Sequence, residues 1–542
     1  MRRLLLLALS AAALVAAGLA PVGPVRAASK GAPKPEFHTS DRCVACHNGL
    51  KTSSGEDVSI GYQWNASIMA NAGRDPYWQG SVRRETIDHP EASTAVQSEC
   101  AGCHMPMQHL TDHAQGIETG VLNRLPLTRD HGEYTPASDG VSCSVCHQIE
   151  KDGLGTPKTF NGNVMVANAN GKQPRPEYGP FDIDAGHQRI MQSSTKGFQP
   201  QKGDQIRDAA LCGSCHTLIT AALGPDGKEV GRLPEQMPYQ EWQHSAYVNR
   251  RTCQDCHMPV VSEAMPITAT FGQPREGLHR HVFVGANFLM QNMLDEHREE
   301  LAVKATSGEL QAASAGTAEF LRSQAAGVSV DPAQASAGQL AFDVTVMNRS
   351  GHKLPTAYPS RRVWLHVTVR DTTGKVVFES GHLNADGSIV GNDNDADPLK
   401  FEPHHAVITK PDDVQIFEPI LKDPQGRVTT GLLSAVDYFK DNRILPEGFD
   451  KATADHDVRV VGEAAEDENF KGGSARTRYQ VTTVGAVGPF RVEAEVWYQP
   501  IGFRWAHNLD SYKASEPQRF VGYFKQDAGR SAVMLAKTQA TY

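Results

Sequence analysis

The chain has 542 residues, of which 39% are hydrophobic and 21% are charged, and its formal net charge is −9. This composition excludes a collagen-like chain and a wholly disordered one. The slight excess of acidic residues argues against nucleic acid as the main partner. At about 150 residues per domain, the length predicts two to four domains.

The N-terminal segment has the features of a targeting signal. Arg2 and Arg3 precede an apolar run over residues 4–20, and Val25 and Ala27 are small residues at −3 and −1 of a cleavage point after Ala27. This pattern predicts a secretory signal peptide over residues 1–27. An uncleaved membrane anchor is the alternative, but the run is short for a span and no later stretch could supply a second one. The mature chain is therefore expected to have no membrane span and to lie in the periplasm or outside the cell.

All ten cysteines fall into five C-x-x-C-H sequences. The cysteines and the histidines that follow them are Cys43, Cys46 and His47; Cys100, Cys103 and His104; Cys143, Cys146 and His147; Cys212, Cys215 and His216; and Cys253, Cys256 and His257. C-x-x-C-H is the attachment sequence of c-type haem. Each thiol bonds one vinyl group of the porphyrin, and the adjacent histidine supplies the proximal nitrogen to iron.

The cysteine pairs have two other interpretations. An exported chain with ten cysteines could be cross-linked by disulfides, and C-x-x-C pairs can hold structural zinc. Neither interpretation explains a histidine after every second cysteine. The sequence therefore predicts five covalently bound c-type haems, and we expect these haems to form the core of the half that contains them.

With these motifs, the chain resembles multihaem cytochromes of the cytochrome c-554 type over about residues 40–290. In that family a W-x-x-S-x-H sequence near C-x-x-C-H supplies a distal iron ligand. Two W-x-x-S-x segments here begin at Trp64 and Trp242, but Met69 and Tyr247 stand where the family has the histidine. Methionine is a competent ligand and raises the haem potential relative to a pair of histidines. Tyrosine is not a usual ligand in an electron carrier.

Electron-transfer haems usually have a histidine or methionine on the far side of the iron as well. The predicted distal ligands are Met69, His113, His187, His281 and His352. Further candidates are His38, His109, His131, His244 and His279. For each histidine the alternative is a surface or hydrogen-bonded side chain, and the sequence leaves open which haem each residue would serve.

The spacing of apolar residues changes in the C-terminal part of the chain. Alternation typical of strands occurs over residues 341–347, 363–369 and 490–497, and shorter runs predict strands at 375–379, 414–418, 458–461 and 478–484. The segment 348–362 is also similar to one found in large environmental multihaem cytochromes with a C-terminal β-domain.

The predicted fold class is α plus β in separate domains. A mainly helical and irregular multihaem cytochrome c domain over residues 28–305 is followed by a linker over 306–339, which is rich in Ala, Ser and Gly and has room for one helix. An antiparallel β-sandwich is predicted over residues 340–542.

One loop of the β half is a candidate Ca²⁺ site. Residues 391–397 include Asp393, Asp395 and Asp397, and oxygen-rich loops of this kind bind Ca²⁺. Pro398 stands at the sixth position, where the usual pattern has glycine, and the twelfth position has no glutamate, so a solvated acidic turn is the alternative.

The predicted function is electron transfer outside the cytoplasm, with redox proteins such as other cytochromes as partners. The alternative is a multihaem reductase of a nitrogen or sulfur compound with one open haem iron. Such enzymes often have an unusual signature such as C-x-x-C-K, whereas all five signatures here end in histidine. The sequence therefore favours a carrier and leaves an enzymatic role undecided.

Overall fold

The computed structural model describes residues 37–128, 135–166, 175–332, 334–336 and 338–542. The predicted signal peptide over residues 1–27 and the candidate ligand His131 lie outside these residues. Helices and several antiparallel sheets make up the described chain, which confirms the predicted mixture of α and β structure. Within the described residues, no helix combines the length and the apolar character needed to cross a membrane.

Short helices dominate the chain up to residue 305. They are α1 (Asp41–Val44), α2 (Ile60–Asn65), α3 (Pro76–Asp88), α4 (Ser93–His104), α5 (Pro106–His113), α6 (Cys143–Cys146), α7 (Ala185–Thr195), α8 (Ala209–Gly213), α9 (Pro238–Gln243), α10 (Cys253–His257) and α11 (Phe288–Glu296). The start of α3 is well defined, because the Asp75 side chain accepts hydrogen bonds from the backbone of Tyr77 and Trp78. Pro76 fits the first helical position, where a missing N–H costs nothing.

Two small sheets accompany these helices. Strands β1 (Arg175–Gly179) and β2 (Phe198–Lys202) pair in parallel, and β3 (Leu218–Leu223) and β4 (Glu229–Gln236) form an antiparallel pair.

The stretch 306–339 contains regular structure. Helix α12 (Ser307–Gln324) begins with a capping box between Thr306 and Glu309. Strands β5 (Ala326–Val330) and β6 (Gln334–Ser336) follow, and both pair with the long strand β7 (Gln339–Asn348). This stretch is thus joined by backbone hydrogen bonds to the sheet that follows it.

Three sheets form the rest of the chain. Their strands are β8 (Arg362–Arg370), β9 (Val376–Ser380), β10 (Val407–Ile408), β11 (Ile416–Phe417), β12 (Pro419–Lys422), β13 (Val428–Thr429), β14 (Asp437–Asp441), β15 (Phe470–Lys471), β16 (Ser474–Thr482), β17 (Arg491–Gln499) and β18 (Val533–Thr541). The strand orders are β10-β16-β7-β5, β11-β8-β17-β18 and β13-β12-β14, with β6 on β7, β15 on β16 and β9 on β8. Only the β10–β16 pair among them is parallel. Where a strand was expected at 458–461, the chain makes a 3-10 turn and a single bridge from Val461 to Asp441.

One hydrophobic core joins the two halves of the chain. Alternation in β7 buries Phe342 and Val344, and Leu365 and Val496 of the other large sheet belong to the same buried cluster. Helix α11 contributes to this cluster as well. The three remaining helices are α13 (Asp393–Ala396), α14 (Phe503–Asn508) and α15 (Ser515–Asp527), of which α15 packs against α3.

A buried ion network also connects the two halves. Arg443 Nη1 lies 2.9 Å from Glu241 Oε1 of α9, and Arg443 Nη2 lies 2.8 Å from Asp441 Oδ2. Lys353 Nζ is 2.7 Å from the same Asp441 oxygen. Burial alone would raise the pKa of Asp441, but the charges of Arg443 and Lys353 hold it below its usual range. These four charges are therefore paired within the protein and depend on one another.

Arg443→Met is expected to lower the free energy of unfolding by about 3–5 kcal/mol, because it leaves the Glu241 carboxylate buried without its cation. Urea denaturation followed by circular dichroism measures the loss. The matched control is Arg232→Met, which removes an exposed arginine paired with Glu229 at 2.7 Å. Exposed pairs contribute little, so the control should keep its unfolding midpoint. Equal losses in both variants would contradict the assignment.

Candidate functional site

An apolar cavity of 1940 Å³ is the main feature of the first half of the chain. Its wall contains all ten cysteines and all five histidines of the C-x-x-C-H sequences. Residues of the β half, among them His352 and Tyr498, complete the wall. The fold therefore brings five signatures, spread over residues 43–257, to one space.

Each signature lies on a helical turn or at the end of one. Helices α6 and α10 begin at Cys143 and Cys253, and Thr252 and Asp255 form a capping box at the start of α10. Side chains three and four positions apart share one face of a helix. The two thiols and the imidazole of a signature consequently lie on the same face, as two thioether bonds and one iron–nitrogen bond to a porphyrin require.

Thiols of different signatures are in contact, and none of the ten is in a disulfide. The pairs close enough to shift the pKa of one another's thiols are Cys43 with Cys143, Cys212 with Cys253, and Cys103 with Cys215. Burial, together with the nearby Cys215, raises the pKa of the Cys146 thiol to about 12. The first signature thus adjoins the third, and the fourth adjoins the second, the third and the fifth.

Backbone carbonyls hold four of the five signature imidazoles. The distances from Nδ1 to the carbonyl oxygen are 2.6 Å for His47 and Ile267, 2.9 Å for His104 and Ala72, 2.5 Å for His147 and Tyr178, and 2.5 Å for His257 and Val284. A carbonyl only accepts, so the proton is on Nδ1 and the Nε2 lone pair is available to a metal. In the described part of the chain His216 has no such carbonyl partner. Burial lowers the pKa of His104 to about 4, which keeps its ring in the neutral, metal-binding form at pH 7.

Four of the five predicted distal ligands line the cavity: Met69, His187, His281 and His352. Both ring nitrogens of His187 are engaged, Nδ1 with Asp184 and Nε2 with the Phe271 carbonyl at 2.9 Å. His113 is not part of the cavity wall; its side chain is 45% exposed and its Nε2 is 3.1 Å from Ser98 Oγ.

In contrast to His187, the cavity-wall residues His279 and His281 each have a hydrogen bond to the described residues at only one ring nitrogen. His279 Nδ1 is 2.6 Å from the Met258 carbonyl, and His281 Nδ1 is 3.0 Å from the His279 carbonyl. Burial, with the nearby His147, lowers the pKa of His281 to about 3. The His281 ring is therefore neutral at pH 7, and in both residues the hydrogen bond at Nδ1 leaves Nε2 as the second ring nitrogen.

The remaining candidates lie away from the cavity. His38 packs against Phe198, His109 against His113, and His244 Nε2 is 3.1 Å from Asp455. Tyr247 does line the cavity, where its hydroxyl donates to the Arg349 carbonyl at 3.2 Å.

The rings of His257 and His352 lie near each other and nearly parallel. Their ring centroids are 6.2 Å apart and their planes differ by 13°. Two imidazoles bonded to one metal from opposite sides, with bonds of about 2.0 Å, have centroids about 6 Å apart. His352 Nδ1 is fixed by the Lys353 carbonyl at 2.9 Å, which leaves Nε2 as the nitrogen available.

The loop between β7 and β8 delivers His352 to the cavity. Asn348, at the end of β7, is 5% exposed and donates from Nδ2 to the carbonyls of His352 at 2.8 Å and Ile444 at 2.9 Å. The same loop carries Tyr358 and Arg361 into the cavity wall.

A buried polar cluster near Cys100 was not found from the sequence. It consists of Asp75, Tyr77, Glu85, Glu235 and Tyr358, all in the cavity wall. The rings of Tyr77 and Tyr358 meet edge to face, with centroids 5.7 Å apart. Burial raises the pKa of Asp75 to about 6 and that of Glu235 to about 7. The single local sequence signal in this cluster is the Asp75-Pro76 pair, and this pair indicates the start of a helix rather than a functional site.

The loop over residues 391–397 does not direct its carboxylates to one point. Both oxygens of Asp395 accept from Arg362 Nη1, at 2.8 and 2.9 Å, and Asp397 caps the backbone of Leu399. The carboxylate at the centre of the candidate Ca²⁺ loop is therefore used in a buried ion pair.

No family model matches the chain, and a search of the curated proteins finds no match either. Among solved structures, the chain is similar to a penta-heme cytochrome c552 from Thermochromatium tepidum, with 15% sequence identity and a TM-score of 0.49. The alignment covers 93% of this chain and 99% of the other.

The haem-free chain is expected to lose the fold of residues 43–257. Without the groups that fill it, an apolar cavity of 1940 Å³ would leave a large apolar surface in contact with water. Limited proteolysis of chain produced in the cytoplasm, where haem is not attached, should cleave this region rapidly, while haem-loaded chain resists. Equal resistance of the two forms would contradict the expectation.

Proposed function

We propose that the protein is a pentahaem c-type cytochrome that transfers electrons outside the cytoplasm. The observation that carries the proposal is the meeting of five C-x-x-C-H sequences on one apolar cavity, with thiols of neighbouring signatures in contact. The cavity, the paired thiols and the Nε2 atoms of the signature histidines fit covalently bound haem. When bound, haem supplies one-electron redox chemistry.

The thiol contacts support a branched route for electrons. A thiol is bonded to the porphyrin edge, so thiols in contact imply neighbouring porphyrin edges. Electrons would pass from the first haem site to the third and then from the third to the fourth. From the fourth site they would pass to the second or the fifth. Redox partner proteins, such as other cytochromes, would exchange electrons at the ends of this route.

The axial ligands follow from the cavity wall. We assign His257 and His352 to one iron on the strength of their centroid distance and parallel planes. His279, His281 and Met69 are the further distal ligands that line the cavity with a donor atom available. An iron bound by Met69 would have a higher potential than one bound by two histidines.

The test uses the purified haem-loaded chain. Quantification of haem as the pyridine complex should give five haems per chain, as the five signatures require. When less than one equivalent of a one-electron reductant is added, the electrons should be shared among several haems within the mixing time. A colourless protein, or haems that do not exchange electrons, would contradict the proposal.

His352→Ala should change one haem and leave the other four as they are. Without its second imidazole, that iron is expected to become high-spin in the oxidised protein, as seen by electron paramagnetic resonance, and its potential to change. The matched control is His113→Ala, which removes a histidine outside the cavity wall. The same spectral change in both variants, or in neither, would contradict the assignment of His352.

A second function, reduction of a small nitrogen or sulfur compound, is favoured by the polar groups of the cavity wall. Within the described residues the wall offers six donors, Met69, Met191, Met258, His279, His281 and His352, so the number of donors by itself leaves no iron open. Glu235 lies near Cys100, and the Tyr77–Tyr358 pair belongs to the same cavity wall. With a pKa of about 7, Glu235 holds a proton near neutral pH that it could pass to a bound molecule.

Carbon monoxide tests whether one iron is open. The reduced, haem-loaded chain is expected to bind one carbon monoxide per five haems, with a shift of part of the Soret band. Tyr358→Phe should change the carbon–oxygen stretching frequency without changing the stoichiometry, because it removes a hydroxyl beside the bound molecule. Absence of binding would show five six-coordinate irons and remove the second function, whereas the electron-transfer proposal would stand.

A further inference from the structure

Three metal-binding side chains meet on the solvent-facing side of the β8–β9–β17 sheet. The buried face of β8 carries Leu365 and Val367, so His366 between them faces the other way. Glu379 lies on the neighbouring strand β9, paired with Thr368, two positions from His366. His382 follows β9 after one turn residue.

The turn at Gly381 places His382 beside the other two. Gly381 has φ of 81°, and a Cβ there would lie 2.2 Å from the Leu365 carbonyl oxygen, so only glycine fits. The Gly381 carbonyl accepts from Trp364 Nε1 at 2.9 Å, which fixes the turn. The backbone therefore holds His382 near Glu379 even though its side chain is 57% exposed.

The ligand atoms have the spacing of a metal site. His366 Nε2 is 3.0 Å and His382 Nδ1 is 3.6 Å from Glu379 Oε1, and one ligand atom from each residue lies within 4.8 Å of the others. In a tetrahedral Zn²⁺ site with bonds of about 2.1 Å, neighbouring ligand atoms are about 3.4 Å apart.

A second carboxylate orients His366. Glu495, directly opposite His366 on β17, lies with Oε2 3.0 Å from His366 Nδ1. Trp497 Nε1 and Lys537 Nζ hold this carboxylate at 2.9 and 2.8 Å. Histidines that bind zinc through one ring nitrogen usually donate a hydrogen bond from the other nitrogen to a carboxylate or a carbonyl.

We propose that His366, Glu379 and His382 bind a divalent late transition metal, with Zn²⁺ as the representative ion. Two imidazoles and a carboxylate suit Zn²⁺ and its neighbours better than Ca²⁺ or Mg²⁺, which prefer oxygen ligands. A water molecule would take the remaining position. The site is separate from the haem cavity, whose wall contains none of the three residues.

The test is equilibrium dialysis of the haem-loaded chain against Zn²⁺, with zinc and iron counted by mass spectrometry. We expect one Zn²⁺ for five iron atoms, and at least tenfold weaker binding in His382→Gln and in Glu379→Gln. Glu495→Gln should weaken binding about 10–100-fold, because it removes the carboxylate behind His366. X-ray absorption at the zinc edge should report two imidazoles per zinc.

The matched control is His456→Gln, which removes a histidine that is 75% exposed beside Asp457. This variant should bind Zn²⁺ as the unchanged chain does. The proposal is overturned if the chain does not bind Zn²⁺ below about 1 mM, or if His382→Gln binds it as well as the control. In that case the three side chains are an ion network with a protonated His366.

Discussion

Everything in the first half of the molecule depends on five short helical turns that face the same apolar space. Each turn places two thiols and an imidazole on one face, and backbone carbonyls fix four of the five imidazoles. Such a wall cannot be stable against water, because the apolar area it leaves exposed is large. The hydrophobic clusters of this half are correspondingly small, and the one around Val82 and Ala101 lies directly behind the second signature.

The β half has a conventional core and serves as one wall of the cavity. The loop between β7 and β8 brings His352, Tyr358 and Arg361 to the space that the signatures share, and Tyr498 of β17 also lines it. The buried Glu241–Arg443–Asp441 network holds that loop against α9, since Lys353 belongs to it as well. The β half thus completes the wall that the helical turns begin.

The signatures that are neighbours in space are not always consecutive in the chain. The fourth signature has three neighbours, and the second and fifth each adjoin it. If haems occupy the signatures, as proposed, this arrangement would give electrons a branched route. Glu85 and Glu235 lie near Cys100 of the second signature.

The sequence by itself determined the five C-x-x-C-H sequences and the change from helical to strand spacing. Both are local properties: C-x-x-C-H fits within one helical turn, and alternation within one strand is visible over a few residues. The strands at β7, β8, β16 and β17 could therefore be placed from the sequence to within a few residues. The expectation at 458–461 was wrong because a short apolar run also suits a buried turn.

Tertiary structure alone decided which side chains meet at the cavity. The carbonyl that holds His47 belongs to Ile267, 220 residues away, and the ring that faces His257 comes from the loop before β8. From the sequence, His113 and His187 are as good candidates for distal ligands as His352. In the structure His113 lies outside the cavity wall, and both ring nitrogens of His187 are hydrogen-bonded. Distal contacts and the Tyr77–Tyr358 pair form between segments far apart in the chain, so no local pattern encodes them. They follow from how the sheets, the loop and the helical turns pack around the shared space.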